Sequence, residues 1–401
     1  MVNFTLDIAQ TSAVAAVLLA LGEWIKNRVS VLSRYFIPSP IIGGLVFSLI
    51  ALAGHQSGTF RFDFAQNIRD FLLLVFFTTI GFSASFELLK KGGVGVLLFL
   101  LCAVGLVLIQ NGVGVALAEA MGTSPLIGLA AGSISLTGGH GTSAAFGPLL
   151  EKAGAVGALP AAIAAATYGL VAGCVIGGPV GSLLMRRHKL VGPAHDGSIF
   201  QAQPSAIETA RETTETTDAT ILRATIVLLV AIGVGTLLVN WLESMGVTLP
   251  AYLGPMLVAA VFRNIIDWRN WVLPTRQFEV VGNVALAFFL TMALMSMKLW
   301  ELAAVAGPLI VILIVQTVIM FSFAYFITFR VMGKDYDAAV ISAGHCGFGM
   351  GATPNAMANM QAFTSANGPS FKAFFVIPLV GSLFIDFFNA MTITGFVEFF
   401  K

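Results

Sequence analysis

Charge is scarce in this sequence: Asp, Glu, Lys and Arg make up 10% of its 401 residues, against about 25% in soluble domains. A soluble fold of this length has a large surface to cover with polar groups, and a chain that is 57% hydrophobic cannot cover it. The shortage excludes a soluble globular protein and makes a lipid bilayer the solvent. The net charge is only +1, so there is no basic surplus for nucleic acid. Cysteine is almost missing. Cys102, Cys174 and Cys346 lie scattered in apolar or glycine-rich stretches, with neither a disulfide framework nor metal-ligand spacing. They read as small buried hydrophobes. No basic region precedes the first apolar run, where Asp7 stands instead, so that run reads as a retained span and not a cleaved signal peptide. Finally, no Lys or Arg stands deep in any apolar run. Any anion held inside the membrane must be met by something other than a cationic side chain.

What is present is a series of long apolar runs. A crossing helix needs about 20 mostly apolar residues. Such runs lie near 6–25, 39–54, 70–87, 94–118 and 155–185, and again near 221–241, 250–265, 279–297, 303–329 and 373–397. The second of each set is short. Between the fourth and fifth runs of each set lies a different kind of segment, 125–148 and 336–363, apolar at its ends and dense in glycine and polar residues in the middle. Each glycine costs a helix about 1 kcal/mol relative to alanine. Irregular backbone at membrane depth is tolerated only where protein buries it or it lines a watery cavity. Both segments are therefore expected to be re-entrant hairpins, and the fold an all-α polytopic membrane protein.

Ten spans place both termini on one side. With the termini outside, sixteen of the 21 Lys and Arg fall on the cytoplasmic side, the bias that orients membrane proteins. The expected organisation is an N-terminal unit over 1–190, a polar cytoplasmic linker over 191–219 and a C-terminal unit over 220–401. Five spans per unit is odd, so the second unit enters the membrane inverted. Local echoes support the pairing. Phe76-Phe77-Thr78-Thr79 resembles Phe288-Phe289-Leu290-Thr291, Gln110 matches Gln316, and Met121-Gly122 matches Met332-Gly333. Setting Ala130-Ala131 against Ala338-Ala339 aligns Gly139 and Gly141 with Gly347 and Gly349. Inverted repeats with interrupted segments at equivalent positions are the mark of secondary transporters. The hairpins would enter from opposite faces and meet near the midplane.

Opposed hairpin tips offer a defined chemistry. Thr353 followed by Pro354 fits a helix N-cap with proline at the first position. Thr142 or Ser143 can do the same for a helix beginning at Ala144. Helix N-termini bind carboxylates through free N–H groups and partial positive charge, which answers the missing arginine. The expected substrate contacts are Thr137, Gly138, Gly139, His140, Gly141, Thr142 and Ser143 in the first tip. Gly349, Gly351, Ala352, Thr353 and Asn355 are their counterparts in the second. Na⁺ favours hard oxygen ligands, and the expected cation contacts are Ser135, Thr137, Gly347, Thr353, Asp386 and Asn389. Asp386 is the one carboxylate placed deep in a span, with Asn389 nearly a turn later. A charge there faces a cavity or a partner. It can ligand Na⁺, meet an amino group or cap hairpin backbone. His140 and His345 can bond substrate, relay protons or tie down their loops. Gln110, Asn111 and Gln316 read as interhelical hydrogen bonds, and the methionines over 292–297 as helix packing.

Several segments now carry a resemblance over nearly the whole chain. They include Ile37-Pro38-Ser39-Pro40 with Gly43-Gly44, the run from Gly132 to Thr142 (GSISLTGGHGT), Ala293-Leu294-Met295 and Lys298-Leu299-Trp300-Glu301-Leu302. To these add the run from Met332 to Val340 (MGKDYDAAV) and that from Ala343 to Pro354 (AGHCGFGMGATP). The chain resembles the bacterial sodium/glutamate symporter family. The resemblance implies Na⁺-coupled glutamate uptake across the bacterial inner membrane, a homodimer, and an elevator-like movement of a hairpin-bearing domain against a scaffold. It implies no organic cofactor and no enzymatic activity.

Other classes fit less well. A channel would have a ring of charges or a carbonyl filter repeated between subunits, whereas the two hairpins are unlike each other and share one chain. An intramembrane enzyme would show a nucleophile–base spacing, a zinc pattern or a nucleotide fingerprint, and none is present. A Na⁺- or H⁺-coupled carrier for another carboxylate, such as citrate or malate, would use the same hairpin logic. Thiol labelling of single cysteines placed in 131–138 and 346–352 tests the common premise. The two segments should be reached from opposite faces, and labelling of both from the same face would remove it.

Overall fold

A computed structural model describes residues 2–30, 32, 38–91, 93–193, 218–245, 251–269, 271, 273–351 and 353–401. The expected linker, 191–219, falls for the most part outside them, as does Ala352. The N-terminal unit runs β1 (Val2–Leu6), α1 (Ile8–Arg28), α2 (Ser39–Ser57), β2 (Phe60–Phe64), α3 (Asn67–Ser83) and α4 (Phe86–Lys91). It continues as α5 (Gly93–Ala120), α6 (Pro125–Ala130), α7 (Gly139–Lys152) and α8 (Ala158–His188). The C-terminal unit begins with α9 (Asp218–Ser244), α10 (Leu253–Trp268), α11 (Thr275–Met295) and α12 (Leu302–Phe323). After a π turn over Ala324–Thr328 come α13 (Tyr336–Met350), α14 (Thr353–Asn367), α15 (Phe371–Leu383) and α16 (Ile385–Phe400).

Caps written into the sequence start several helices. Asp7 and Gln10 form a reciprocal capping box on α1. Ser124 caps α6 with Pro125 in its first turn, Asp335 caps α13 by accepting from the Ala338 N–H at 2.7 Å, and Ser370 caps α15.

Among the described residues, eight helices are long and apolar enough to cross a membrane, and the bent pair α15–α16 makes a ninth. The chain is therefore a multi-pass helical membrane protein. The remaining expected span, α10, has 16 residues and rises only about 24 Å, less than the hydrocarbon thickness of about 30 Å. Two differences from an all-α chain with intact spans stand out. First, β1 and β2 pair in parallel from Val2 opposite Phe60 to Leu6 opposite Phe64. Alternating phenylalanines drive this pairing, with Phe4 and Phe62 stacked at 5.4 Å. Second, the last span is broken: α15 and α16 meet at 45° around Phe384.

Helix packing divides the chain in two. In one group α1, α2, α3, α9, α10 and α11 pack on one another. In the other, α5 to α8 and α12 to α16 surround the long helix α8. Each group draws equivalent spans from both units: the first three of each in one, the rest in the other. The groups meet where α7 lies on α11 and where α16 lies on α10 and α3. This seam is aromatic, with Phe77 stacked on Tyr252 at 4.3 Å and Phe146 edge-on to the same ring at 5.4 Å.

The second group depends on close helix approach. Gly169, Gly173, Gly177 and Gly181 form a stripe at four-residue spacing along α8, facing α13 and α14. A Cβ at Gly169 would overlap the Met350 carbonyl oxygen, and one at Gly173 would stand 2.9 Å from that of Cys346. Small residues serve this purpose where lipid offers no hydrophobic drive for helices to associate. Gly169→Val should force α13 away from α8 at a cost of about 1–3 kcal/mol or more. The measurement is thermal unfolding of purified protein, where Gly178→Ala, with open space around its Cβ position, should leave the midpoint in place.

Candidate functional site

The two interrupted segments lie together inside the second group. In the first, α6 gives way to turns over 131–137 before α7 restarts. Gly139 makes the restart possible at φ 64°, a left-handed conformation that side chains resist. A Cβ there would also stand 3.0 Å from the Gly351 carbonyl oxygen. The tips thus touch at Gly139 and Gly351. The second segment differs from expectation. Its glycines from Gly344 to Gly349 do not break the helix: α13 runs through His345, Gly347 and Gly349 to Met350, and the chain turns at Gly351. Gly347 lets the backbone of Asn355 and Ala356 pack against α13, so tertiary contact offsets the helix penalty. The helix restarts at Gly139 and Thr353 therefore do not coincide under the pairing of Ala130 with Ala338.

The expected N-cap at Thr142 or Ser143 is also corrected. α7 begins at Gly139 with Gly138 as cap and no side-chain cap bond. Thr142 and Ser143 stand inside the helix, where Ser143 donates to the carbonyls of Gly139 at 2.8 Å and Ala162 at 3.2 Å. Thr353 is likewise the first residue of α14 rather than the residue before it.

Buried amide side chains satisfy the interrupted backbone. Gln110, on α5, donates to the Gly349 carbonyl at 2.7 Å and accepts from the Thr137 hydroxyl at 2.7 Å, so one side chain holds both tips. Its own carbonyl accepts from Gln316 at 2.7 Å, joining α12 to α5. Ser133 is held on three sides. Its N–H donates to Asn111 at 3.0 Å, its hydroxyl to Asn389 Oδ1 at 2.7 Å, and its carbonyl accepts from Asn389 Nδ2 at 3.2 Å. Asn389 thus engages the first tip's backbone. Ser135 donates to the Gly132 carbonyl. On the other side, Asn355 and Asn359 donate to the α8 carbonyls of Leu170 and Gly173, each at 2.9 Å.

The histidines point away from each other's loops. His140 Nε2 is 3.0 Å from the Thr167 hydroxyl on α8, which donates onward to Ile163 O and leaves its oxygen to accept. His345 is fully buried, with Nδ1 2.8 Å from the Thr328 hydroxyl of the π turn and the rings of Phe99, Phe323 and Phe348 around it. Asp386 stands in the first turn of α16, just past the break in the last span. Among the described residues its carboxylate has no hydrogen-bond or ion-pair partner. The Thr353 hydroxyl lies against Gly381 on the near side of the same break. The group therefore gathers Thr137, Gly138, Gly139, Gly349 and Gly351 at the tip contact, and places Thr353 and Asp386 beside one helix break. Asp386, half-buried, stands on the side of α16 that carries the buried Asn389, Ala390 and Ile393.

Where α7 meets the first group, a cavity of about 360 Å³ opens in the seam. Ala144, Ala145, Tyr252 and Phe289 line it together with Arg69, Asp70 and Lys152. Nothing in this assembly resembles a catalytic dyad, and among the described residues no cluster of His, Cys, Asp or Glu could hold a metal ion.

Comparison with known proteins agrees with the segments quoted above. The family model for the sodium/glutamate symporter matches residues 4–369. This chain belongs to the sodium/glutamate symporter family. The sodium/glutamate symporter of Escherichia coli (strain K12) is 42% identical over 392 residues, covering 97% of each chain. That of Haemophilus influenzae is 40% identical over 390 residues, covering 97% of this chain and 96% of the relative. A member of the sodium/glutamate symporter family is a transporter and not an enzyme. In this family member Gln110 and Asn111, expected as interhelical hydrogen bonds, bond the backbone of Gly349 and Ser133 in the two interrupted segments. Gln110→Leu would strip both the Gly349 carbonyl and the Thr137 hydroxyl of their shared partner and leave them only their own 3.5 Å contact, at a cost of about 1–3 kcal/mol. Its thermal midpoint should fall clearly below that of the parent protein.

Proposed function

We propose that this chain is a Na⁺-coupled symporter that imports glutamate by alternating access, with the second helical group moving as a unit against the first. The observation that carries the reading is Gln110: one side chain fastens both interrupted segments, so the two tips form one body inside one group. Several features support a sliding, elevator-type step. The hairpin-bearing elements are joined to one another by amide hydrogen bonds, while the seam to the other group is aromatic and carries a long Tyr252–Thr394 contact of 3.5 Å. The names of the relatives supply the cargo, glutamate and sodium.

In this reading the segments are inverted re-entrant hairpins. The N-terminal ends of α7 and α14 meet the substrate carboxylates through free N–H groups. Arg69 and Lys152 at the seam cavity draw the anion in from outside. Asp386 and the Thr353 hydroxyl, on either side of the last span's break, serve Na⁺. Bound Na⁺ organises the tips so that substrate binds, and only the empty or fully loaded group crosses. At 100 mV each net positive charge carried inward is favoured by about 2.3 kcal/mol. The protein resides in the bacterial inner membrane as a homodimer, with both termini on the outer side. A carrier for citrate or malate would be served by the same tips, but the relatives reported above are named for glutamate.

Proteoliposome uptake tests the reading. Labelled glutamate should accumulate with Na⁺ inside-directed and fail to accumulate when choline replaces it. Unlabelled glutamate should compete where citrate and malate do not. Thr353→Val and Asp386→Asn should each abolish uptake at normal membrane insertion. Near-normal transport by both variants would place the site elsewhere.

A further inference from the structure

Hydrogen bonds fix which way the buried amides of the second group face. Asn355 donates through Nδ2 to the Leu170 carbonyl, and Gln316 through Nε2 to that of Gln110. Turning either amide over would set two oxygens against each other, so in each the nitrogen holds the bond and the oxygen is turned away. Gln110 satisfies its oxygen with the Thr137 hydroxyl. Asn355 Oδ1 and Gln316 Oε1 have no donor among the described residues, although Asn355 is 0% and Gln316 1% exposed. A buried polar atom left unpaired in a native fold calls for a physical reason.

Depth separates these two from similar cases. Gln66 and Gln277 also leave an oxygen unbonded, but they stand at the first turns of α3 and α11, at helix ends. Gln316 is well inside α12, and Asn355 is beside the second tip. Sign separates them from Asn111, whose unbonded atom is the donor Nδ2 and has nothing to give a cation. A second observation bears on Asn355. Its amide lies at the C-terminal end of α13: a Cβ on Gly351 would stand 2.5 Å from Asn355 Nδ2 and 3.1 Å from the Gly347 carbonyl oxygen. Helix C-termini carry partial negative charge, and half-helix C-terminal ends with their unwound carbonyls are where transporters hold Na⁺.

We infer that Asn355 Oδ1 and Gln316 Oε1 are ligands of the transported monovalent cation, Asn355 at the C-terminal end of α13 and Gln316 on the α5–α12 side of the tips. The inference rests on the Na⁺-coupled reading. It moves Asn355 from the substrate to the cation and gives Gln316 a role beyond joining α12 to α5. An amide oxygen is a hard ligand and carries no charge, so neither side chain has to be ionised in hydrocarbon between loads.

The probe is Na⁺ alone. Thermal unfolding of the purified full chain is followed in detergent as Na⁺ replaces choline at constant ionic strength, without glutamate. The parent protein should be stabilised along a saturating curve. Asn355→Ala and Gln316→Ala should each raise the half-saturating Na⁺ concentration about tenfold or more. Where an alanine variant does not fold, Asn355→Ser and Gln316→Asn retract the oxygen while keeping a polar side chain. These are read by Na⁺ activation of uptake, where half-saturation should rise while the maximal rate is regained at high Na⁺. Unchanged Na⁺ curves in both positions, with a responsive parent, overturn the assignment alone. A parent with no Na⁺ response overturns the coupling on which it rests.

Discussion

A peptide backbone that leaves its helix inside hydrocarbon has to find every hydrogen bond within the protein. This constraint organises the second helical group. Two segments lose their helical register, at 131–138 and at Gly351; carboxamides of Gln110, Asn111 and Asn389 bond the backbone of Gly349 and Ser133 there, while Asn355 and Asn359 tie α14 to α8. An amide suits the task because it carries donor and acceptor together without a charge to desolvate. Four of the five reach between helices that are distant in sequence, so the same bonds that make the interruptions tolerable also lock them to one another.

That locking explains why the chain divides as it does. The carboxamide network and the α8 glycine stripe join the interrupted segments into one block. The remaining spans form a second block whose cohesion comes from apolar packing, with the Arg263–Asp267 pair at 2.8 Å and Ser85 near its edge. Between blocks the contact is ring against ring. Aromatic faces adhere chiefly through buried area, in contrast to the directional amide bonds inside the first of these blocks.

Much of this was readable in the residues. Low charge, run lengths and the two glycine-dense segments gave the membrane, nearly all the spans and the two interruptions, because the bilayer enforces length and backbone satisfaction strictly. What eluded the sequence is decided by tertiary contact. The glycines of α13 suggest a broken helix, yet they stay helical because neighbours pack where side chains would have been: Asn355 and Ala356 on Gly347, Ile377 and Met360 on Gly344, Leu106 and Met320 on Gly349. The start of α7 moved forward from Ala144 because Gly139 adopts a left-handed turn that leaves Thr142 and Ser143 inside the helix. The break before Ile385 follows Gly381 and Ser382, but one glycine and one serine in a run that is apolar on both sides do not by themselves mark a bend. Gln110 and Asn111 were visible as polar residues in an apolar run, but their partners were not, since sequence spacing says nothing about which backbone a side chain meets across 239 positions.

The π turn at Ala324–Thr328 has a geometric effect on everything after it. In a regular helix, residues twelve apart, such as Gln316 and Thr328, point about 120° away from one another at 100° per residue. A π turn absorbs one residue, and the difference falls to about 20°. Gln316 and Thr328 therefore return to nearly the same face of the helix, both buried, and a single helix can serve α5 at one end and His345 at the other. Without that extra residue the chain beyond Phe329 would swing by about a quarter turn, and α13 would leave the membrane face at a bearing that no longer brought Gly351 to Gly139.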